Sequence, residues 1–422
     1  MEVQSEIKNW QELPISKLAH FSRGISWRKS EEAKGGTLVI SIPNIKDGKI
    51  DFESKYNHYI TKKIPEGKKL KIGDIIFVGS SGSPHNIGRN AIIKNLPVGV
   101  AAFASFAFNA RPDLTNVDPY FLYYLCNSSQ VPFNKYTKRA ADGKYNFQLR
   151  DFEKNLRLSV PSITEQRSIA QKLTAIQKAI AGQEELVTKL KELKQNMMVC
   201  LFSRGIAGEK TKITEIGEIP VSWDIVELGH LVSEMRNGIQ IKQKKDFGKY
   251  KITRIETIGK EVLDLNRVQY ADDIEADKLT KFLLKKDDIL FSHINSDIHL
   301  GKSVLIRHDY DDVVHGMNLL LIKVKKDVII SDYLQYIFQY LRSRGVFILI
   351  ASRAVNQSSI NQAKLKALKI QLPTFNEQKK IVNLLDSIDR RIEFSQEKLS
   401  IYQGLFKTLL NELMSGERRV KL

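Results

Sequence analysis

Several short segments of the sequence approach catalytic motifs without completing them. The Gly-Lys-Ser at 301–303 resembles the end of a phosphate-binding loop, but Ser296 occupies the position of the leading glycine. The Asp-Pro-Tyr-Phe at 118–121 carries one proline, whereas the Asn/Asp-Pro-Pro-aromatic motif of amino-methyltransferases carries two. An aspartate followed by a proline is typical of a helix start. We therefore predict no catalytic residue in this chain.

The histidines and cysteines do not have the spacing of a metal site. None of the 8 histidines forms a His-x3-His pair, and His293 and His299 lie in one loop-like stretch. Cys126 and Cys200 are too few for a zinc site or a disulfide framework. We predict that the chain holds no metal ion.

The charge of the chain points to a polyanionic partner. The 422 residues include 66 Lys and Arg against 48 Asp and Glu, a net charge of +18, and nucleic acid is the first candidate for such a partner. No apolar run is long enough for a transmembrane helix, and the N-terminus lacks the pattern of a secretory signal. These features predict a cytoplasmic protein of more than one domain.

Polar and basic side chains that could contact double-stranded DNA occur in two loop-like segments of each half. In the first half these are the glycine-rich segment 79–90 and the basic, aromatic segment 135–148; in the second half they are 292–302 and 352–359. Base recognition needs donors and acceptors on loops, and phosphate contacts need cations. The alternative for each segment is a solvated loop. The predicted DNA contacts are Ser80, Ser81, Ser83, His85, Asn86, Arg89, Lys138, Arg139, Lys144, Asn146, Ser292, His293, Asn295, Lys302, Arg353, Asn356, Gln357 and Ser358.

An internal repeat supplies the elements that must position these loops. The Val-Pro-Ser-Ile-Thr-Glu-Gln at 160–166 recurs as Leu-Pro-Thr-Phe-Asn-Glu-Gln at 372–378. The Leu-Lys-Ile-Gly-Asp-Ile-Ile-Phe at 70–77 recurs as Leu-Lys-Lys-Asp-Asp-Ile-Leu-Phe at 284–291. A repeat of this length indicates a duplicated domain. Each copy begins with short β-rich runs and short helices, a pattern typical of an α+β globule.

Each copy ends in a helix whose apolar positions alternate by four and three residues, the pattern of a coiled coil. The prolines at 161 and 373 precede these helices, and Thr164 and Asn376 are the expected N-caps. We predict that the two helices pair within the chain as an antiparallel coiled coil; packing in a bundle with other chains is the alternative. The predicted seam residues are Ile169, Leu173, Ile176, Ile180, Leu190, Met197, Leu201, Ile381, Leu385, Ile388, Ile392, Leu399, Tyr402, Phe406, Leu409 and Leu413.

The predicted fold class is therefore α+β, with two similar globular domains separated by two long helices. The predicted boundaries are 1–160 and 206–372 for the globules, and 161–205 and 373–422 for the helices. Residues 1–160 carry 24 Lys and Arg against 15 Asp and Glu, a net charge of +9. Residues 206–372 carry 26 against 22, a net charge of +4. Two similar domains with different loops and charges predict an asymmetric target.

This layout resembles the specificity subunit of type I restriction–modification systems. The resemblance covers nearly the whole chain and includes the Thr-Glu-Ile-Gly-Glu-Ile-Pro-Val-Ser-Trp at 214–223, the Leu-Gly at 228–229, the Pro-x-x-x-Glu-Gln turns and the strand at 73–77. The first half departs from the pattern, because its opening Glu-Leu-Pro at 12–14 is preceded by Trp10 and is not followed by a tryptophan.

The resemblance implies a non-catalytic subunit whose two target-recognition domains each recognise half of a split DNA site. It also implies a coiled coil that sets the spacer and docks two methyltransferase subunits, with restriction subunits as further partners. S-adenosylmethionine, ATP and Mg would then belong to the partner subunits, with no cofactor in this chain. The competing hypotheses are a basic coiled-coil scaffold without sequence-specific DNA binding, and a stand-alone methyltransferase or nuclease.

Overall fold

The computed structural model describes residues 10–46, 48–97, 99, 101–259, 262–353 and 358–420. The chain forms two compact units: the first contains Met1–Glu184 and Glu397–Leu422, and the second contains Glu185–Gln396. Both limits between the units fall inside long helices. Over the described ranges, no helix has the length and apolar character needed to cross a bilayer.

In its described residues, the first unit contains fourteen strands and three short α-helices before its first long helix. The strands are β1 Gln11–Pro14, β2 Ala19–Arg23, β3 Glu32–Ile40, β4 Ile45–Lys46, β5 Lys49–Ile50, β6 His58–Ile60, β7 Ile75–Val78, β8 Ser80–Ser81, β9 Asn90–Ile92, β10 Ala101–Phe103, β11 Ala107–Pro112, β12 Thr137–Arg139, β13 Tyr145–Phe147 and β14 Arg157–Val160. The helices are α1 Ile15–Leu18, α2 Pro119–Cys126 and α3 Leu149–Asn155.

The second unit has a similar order of elements after the long helix α4. Its strands are β15 Thr211–Thr214, β16 Gly217–Pro220, β17 Asp224–Glu227, β18 Val232–Asn237, β19 Tyr250–Ile252, β20 Gln269–Ala271, β21 Ile289–Phe291, β22 Ile294–Asn295, β23 Ser303–Leu305, β24 Val313–Val314, β25 Leu320–Val324, β26 Ser352–Arg353, β27 Ser358–Ser359 and β28 Lys369–Leu372. Its helices are α4 Ile163–Arg204, of which the unit holds the second half, α5 Leu228–Leu231, α6 Ala276–Phe282, α7 Ser331–Ser343, α8 Val346–Ile350, α9 Gln362–Lys366 and the first half of α10 Phe375–Ser415.

The larger sheets of the two units correspond strand by strand, whereas the pairs β4-β5 and β15-β16 each occur in one unit of the described chain. The antiparallel sheet β2-β11-β7-β9 of the first unit matches β18-β25-β21-β23 of the second. The sheet β10-β3-β6 matches β24-β19-β20, and in both the first pair of strands is parallel. The pair β1-β14 matches β17-β28. The duplication predicted from the sequence is therefore present in the strand pairing as well.

Aromatic rings fill the centre of each unit. In the first, the Phe108 ring stacks between Phe77 and Phe147 at centroid distances of 4.7 and 4.8 Å. In the second, Phe291 contacts Phe347 edge to face at 5.0 Å. Such ring pairs add to the free energy gained from burying apolar surface. They lie beneath the ends of the central strands, where the polar loops emerge.

The two long helices begin two residues before the positions that the expected N-caps imply. Helix α4 has 42 residues and α10 has 41, so Thr164 and Asn376 lie within the first turn and are not the N-caps. Instead the Ser162 hydroxyl accepts a hydrogen bond from the Glu165 N–H at 3.4 Å, and Thr374 accepts one from Glu377 at 3.4 Å. Ser162 and Thr374 each lie three residues before a glutamate, and at this capping-box spacing the hydroxyl reaches the N–H of the first turn.

All predicted seam residues are buried or partly buried, and none is exposed. In the first unit, Glu165 pairs with Arg419 at 2.6 Å, and Glu184 lies 3.5 Å from Gln403. In the second unit, Lys194 pairs with Asp389 at 2.8 Å. Farther along the chain, the Ile206 N–H donates to Glu377 at 3.3 Å. Within each unit, residues later in the sequence of α4 contact residues earlier in the sequence of α10, so the helix segments pair antiparallel.

A buried glutamine fixes the start of each helix to its globule. The Gln166 side-chain carbonyl accepts from the Asp118 N–H at 2.9 Å, and its amide donates to the carbonyls of Asn116 and Pro161 at 3.1 and 3.0 Å. This explains the Glu-Gln of the repeat: the glutamine satisfies three backbone groups that the fold removes from water.

The same contacts occur in the second unit. The Gln378 side-chain carbonyl accepts from the Ile330 N–H at 2.9 Å, and its amide donates to the carbonyls of Val328 and Pro373, each at 3.1 Å. Gln378 is completely buried. The glutamine amide supplies both the acceptor and the donor that these three backbone groups need.

We predict that Gln378→Ala destabilises the second unit by about 2–4 kcal/mol, because it leaves buried backbone groups without partners. The measurement is amide hydrogen exchange of the full chain, with the strands of the first unit as internal reference. Gln396→Ala, at an exposed position of the same helix, is the matched control and should change exchange little. Equal protection in both variants would contradict this role of Gln378.

Candidate nucleic-acid interface

The two polar segments of the first half meet in one small sheet, β12-β13-β8. Ser80 lies opposite Asn146, and Ser81 lies opposite Tyr145. Tyr145 in turn lies opposite Arg139. Residues that are far apart in the sequence therefore form one surface at the end of β7.

The second half builds the equivalent sheet, β26-β27-β22, from its own two segments. Asn295 lies opposite Ser358, and Ser358 lies opposite Arg353. Arg139 and Arg353 occupy corresponding places in the two sheets, which we call the contact sheets. Asn356 and Gln357, also predicted to contact DNA, lie outside the described residues.

Tight turns close the loop beside each contact sheet. Gly88 and Gly301 both have a positive φ, 84° and 74°. A side chain at Gly88 would collide with the Phe133 ring, and one at Gly301 would collide with the Phe347 ring. The glycine of the Gly-Lys-Ser at 301–303 is thus required by a turn against an aromatic ring. The segment is a loop followed by strand β23, as predicted.

Twelve of the predicted contact residues have exposed or partly exposed side chains. They are Ser81, Ser83, His85, Asn86, Arg89, Lys138, Arg139, Lys144, Asn146, Asn295, Lys302 and Arg353. Two of them also hold the loop in shape. The Arg89 guanidinium donates to the Ile45 carbonyl at 2.6 Å and to the Asn86 side chain at 3.1 Å. The glycine-rich segment is therefore an anchored surface.

Four predicted contacts do not fit the structure, because their side chains are buried. Ser80, Ser292, His293 and Ser358 are between 0% and 7% exposed. Side chains alternate between the two faces of a strand, so Ser81 is partly exposed where its neighbour Ser80 is buried. The buried residues shape the loops and do not reach a groove.

Exposed cations without carboxylate partners lie on the contact sheets. Among the described residues, neither Arg139 nor Arg353 forms an ion pair, and the Arg139 guanidinium lies 6.0 Å from the centre of the Tyr145 ring. Burial lowers the pKa of Lys302, and the charges of Arg342 and Arg267 lower it further. The positive charges of Lys302, Arg342 and Arg267 repel one another, and a bound phosphate group would relieve that repulsion.

Two residues that the sequence analysis did not single out also support these surfaces. Arg23 donates to the Phe147 carbonyl at 2.8 Å, and thereby connects β2 to the contact sheet. In the second unit the Asn237 side-chain amide lies 3.2 Å from His293 Nε2 and accepts from the Gln362 amide at 2.9 Å. The available signal was the repeat itself, since Arg-Gly-Ile at 23–25 recurs as Asn-Gly-Ile at 237–239 with only the first residue changed.

The other motif-like residues have structural roles. The Asp118 carboxylate accepts from the N–H groups of Tyr120 and Phe121, each at 3.0 Å, and caps α2 as predicted. No group of three His, Cys, Asp or Glu side chains is placed to hold a metal ion in the part of the chain that the structure describes.

Comparisons with known proteins identify the same repeat. The family model of the type I restriction modification DNA specificity domain matches residues 7–192 and 220–401. A type I restriction enzyme MjaX specificity subunit of Methanocaldococcus jannaschii is 42% identical over 207 residues, which cover 49% of this chain and 49% of that protein. The StySPI specificity subunit of Salmonella potsdam is 22% identical over 97% of this chain and 89% of its own length.

A solved structure has the same fold. The crystal structure of the type I system S subunit from M. genitalium aligns over 96% of this chain and 96% of its own length, at 16% identity and a TM-score of 0.59. The predicted fold class is confirmed.

The buried histidine of the second unit predicts a pH dependence. Burial lowers the pKa of His293 to about 4, below its ordinary value of 6.5. A histidine that is neutral when folded contributes stability above its unfolded pKa and loses it as the pH falls toward the folded pKa. Lowering the pH from 7 to 5 should therefore cost the second unit about 2 kcal/mol through His293.

His293→Gln should reduce this pH dependence in urea unfolding followed by hydrogen exchange. His85→Gln, at an exposed position of the first unit, should not reduce it. The same acid sensitivity in both variants would contradict the assignment.

Proposed function

Because both copies of the family domain lie in it, the chain belongs to the type I restriction–modification DNA specificity family, and we propose that each unit recognises one half of a bipartite DNA site. The chain is the specificity subunit of such a system and is not its catalytic subunit. The observation that carries the proposal is the convergence of both polar segments of each half on one contact sheet.

The composition of the contact sheets supports two different half-sites. Both carry an exposed arginine at the same place, which suits contacts to phosphates common to all sequences. The exposed residues beside the arginine differ: Ser81 of the first unit corresponds to Asn295 of the second, and the partly exposed Tyr145 corresponds to the buried Ser358. Different donors and acceptors on the same framework favour an asymmetric target over a palindrome.

A scaffold without sequence-specific binding fits these features less well. A protein-docking surface would be rich in apolar and aromatic residues at its centre. The contact sheets instead expose hydroxyl, amide and guanidinium groups on anchored strands. An adaptor would also bind DNA, if at all, with the same salt-dependent affinity for every sequence.

The helices of each unit support docking of the methyltransferase subunits. In the second unit, Leu186, Leu193 and Phe394 are 44%, 48% and 67% exposed. In the first unit, Ile401 and Leu405 are 61% and 45% exposed. Exposed apolar residues at this density mark protein-binding faces. We assign two methyltransferase subunits to these faces, and restriction subunits to the larger complex. S-adenosylmethionine, ATP and Mg are assigned to those partners.

Arg139→Ala and Arg353→Ala test the DNA contacts, one in each unit. Each should reduce the salt dependence of binding by about one unit if the lost contact is to phosphate, and should cost about 1–3 kcal/mol with relaxed specificity if it is to a base. The measurement is a salt titration of the complex on its methylated site. Lys17→Ala and Lys325→Ala, exposed cations at the opposite ends of β2 and β25, are the controls. Unchanged affinity, salt slope and specificity in both arginine variants would remove the contact sheets from the interface.

The coiled coil is proposed to set the spacer between the half-sites. Seven residues inserted after Glu184 and seven after Gln396 preserve the heptad phase and lengthen each helix by about 10 Å, or about three base pairs. Insertion after Gly205 would not lengthen α4, because the helix ends at Arg204 and Gly205 has a φ of 64°.

Methylome sequencing of a host that carries the double insertion measures the spacer. The expected result is a longer spacer with both half-sites unchanged. A seven-residue insertion after Glu184 alone is the control, and should disrupt assembly because the two seams no longer match in length. An unchanged spacer in the double variant would show that the helices do not set it.

A further inference from the structure

Phe106 exposes a large apolar ring beside the first contact sheet. Its side chain is 57% exposed, whereas Phe108, two residues later, is completely buried between two other rings. The Phe106 ring therefore contributes little to the core of the unit. It lies at the end of β11, where β7 leads into β8.

The backbone that carries this ring is held on both sides. The Gly79 N–H donates to the Phe106 carbonyl at 2.9 Å, and the Ser105 N–H donates to Ile25 at 2.8 Å. The Ala107 N–H closes the turn onto the Ala104 carbonyl at 2.9 Å. Because these bonds fix the turn, the ring cannot retreat into the core without breaking them.

The second unit builds the same turn without an aromatic residue. Its Leu319 N–H donates to the Gly316 carbonyl, and Leu320 lies opposite Asn237 as Phe108 lies opposite Arg23. This correspondence places Asn318, which is exposed, at the position of Phe106. The turn therefore does not need a phenylalanine, and the ring must be explained by something outside the fold.

A cation next to the ring indicates the kind of partner. Lys144 Nζ lies 6.0 Å from the centre of the Phe106 ring, and Lys144 precedes strand β13 of the contact sheet. A fixed apolar ring beside an exposed ammonium group matches a DNA surface. The ring can contact a thymine methyl or the face of a base, while the ammonium group contacts a phosphate.

We propose that Phe106 is a specificity-determining residue of the first unit, and that it contacts a base of the half-site which that unit recognises. This rests on the proposed function, because it assumes that the first contact sheet meets DNA. At the same place in the second half-site, Asn318 provides a hydrogen-bonding group and no apolar ring. The two units thus differ in the chemistry that they present from one shared turn.

The test is Phe106→Asn, which installs the residue that the second unit uses in this turn. The full chain, in complex with its methyltransferase subunits, selects duplexes from a pool randomised across the whole site. Phe106→Asn should bind the wild-type site about tenfold more weakly and lose base preference at one or two adjacent positions of the first half-site. The preference at the second half-site should be unchanged.

Leu114→Asn is the matched control. Leu114 is 69% exposed and follows the other end of the six-residue strand β11, about 20 Å away. Leu114→Asn should leave the base preference at both half-sites unchanged. Phe106→Leu, which keeps an apolar side chain, should retain part of the preference.

The outcomes separate this inference from the proposed function. If the wild-type complex selects a bipartite site and Phe106→Asn selects it equally well, the inference fails and the proposed function stands. If Phe106→Asn and Phe106→Leu both lose the entire first half-site, Phe106 acts through the fold and the inference also fails. If the wild-type complex selects no sequence, both fail.

Discussion

The contact on which each unit depends is the buried glutamine at the start of its long helix. A side-chain amide offers a donor and an acceptor in one fixed plane, and here it bonds three backbone groups that water cannot reach. Neither a rotation of the helix nor a shift along its axis would keep all three bonds. The start of α4 is therefore fixed relative to the segment before α2, and the start of α10 is fixed relative to the segment before α7. This joint fits the proposed role of the helices in setting the spacer, because that role requires a fixed attachment of each helix to its own unit.

The glutamate beside that glutamine joins the helix to the opening of a globule. In the second unit the Trp223 indole donates to Glu377 at 3.0 Å. In the first unit Glu165 pairs with Arg419, whose guanidinium lies 5.9 Å from the Trp10 ring. Trp10 precedes β1 as Trp223 precedes β17. Because β1 pairs with β14 as β17 pairs with β28, Trp10 corresponds directly to Trp223, and the Glu-Leu-Pro at 12–14 corresponds to residues 225–227 and not to the Glu-Ile-Pro at 218–220. Both units therefore have a tryptophan at this junction, with a different partner for the glutamate.

The long-range features of the fold could be predicted from the sequence, and the short-range pairing of the contact sheets could not. Heptad spacing and the repeat indicated the helices and the duplication, because both signals extend over many residues. Strands such as Ser80–Ser81 and Ser352–Arg353 have two residues each, too few for any periodicity. The burial of His293 could not be predicted either, because its partner Asn237 is far away in the sequence. In polar loops, a buried residue and an exposed residue look the same in the sequence until the strand that alternates them is known.

The two units also show why a recognition module can change its target while keeping its framework. Their central sheets, helix starts and glycine turns correspond, and these elements carry the buried surface that stabilises each unit. The differences are concentrated on short exposed strands and turns, where substitutions rarely cost more than about 0.5 kcal/mol of stability. Base recognition depends on the identity of those exposed groups and phosphate recognition on the presence of a cation. The shared Arg139 and Arg353 positions can therefore remain while their neighbours vary, so the proposed base recognition depends on exposed residues of the contact sheets, whereas stability depends on the buried residues of the central sheets.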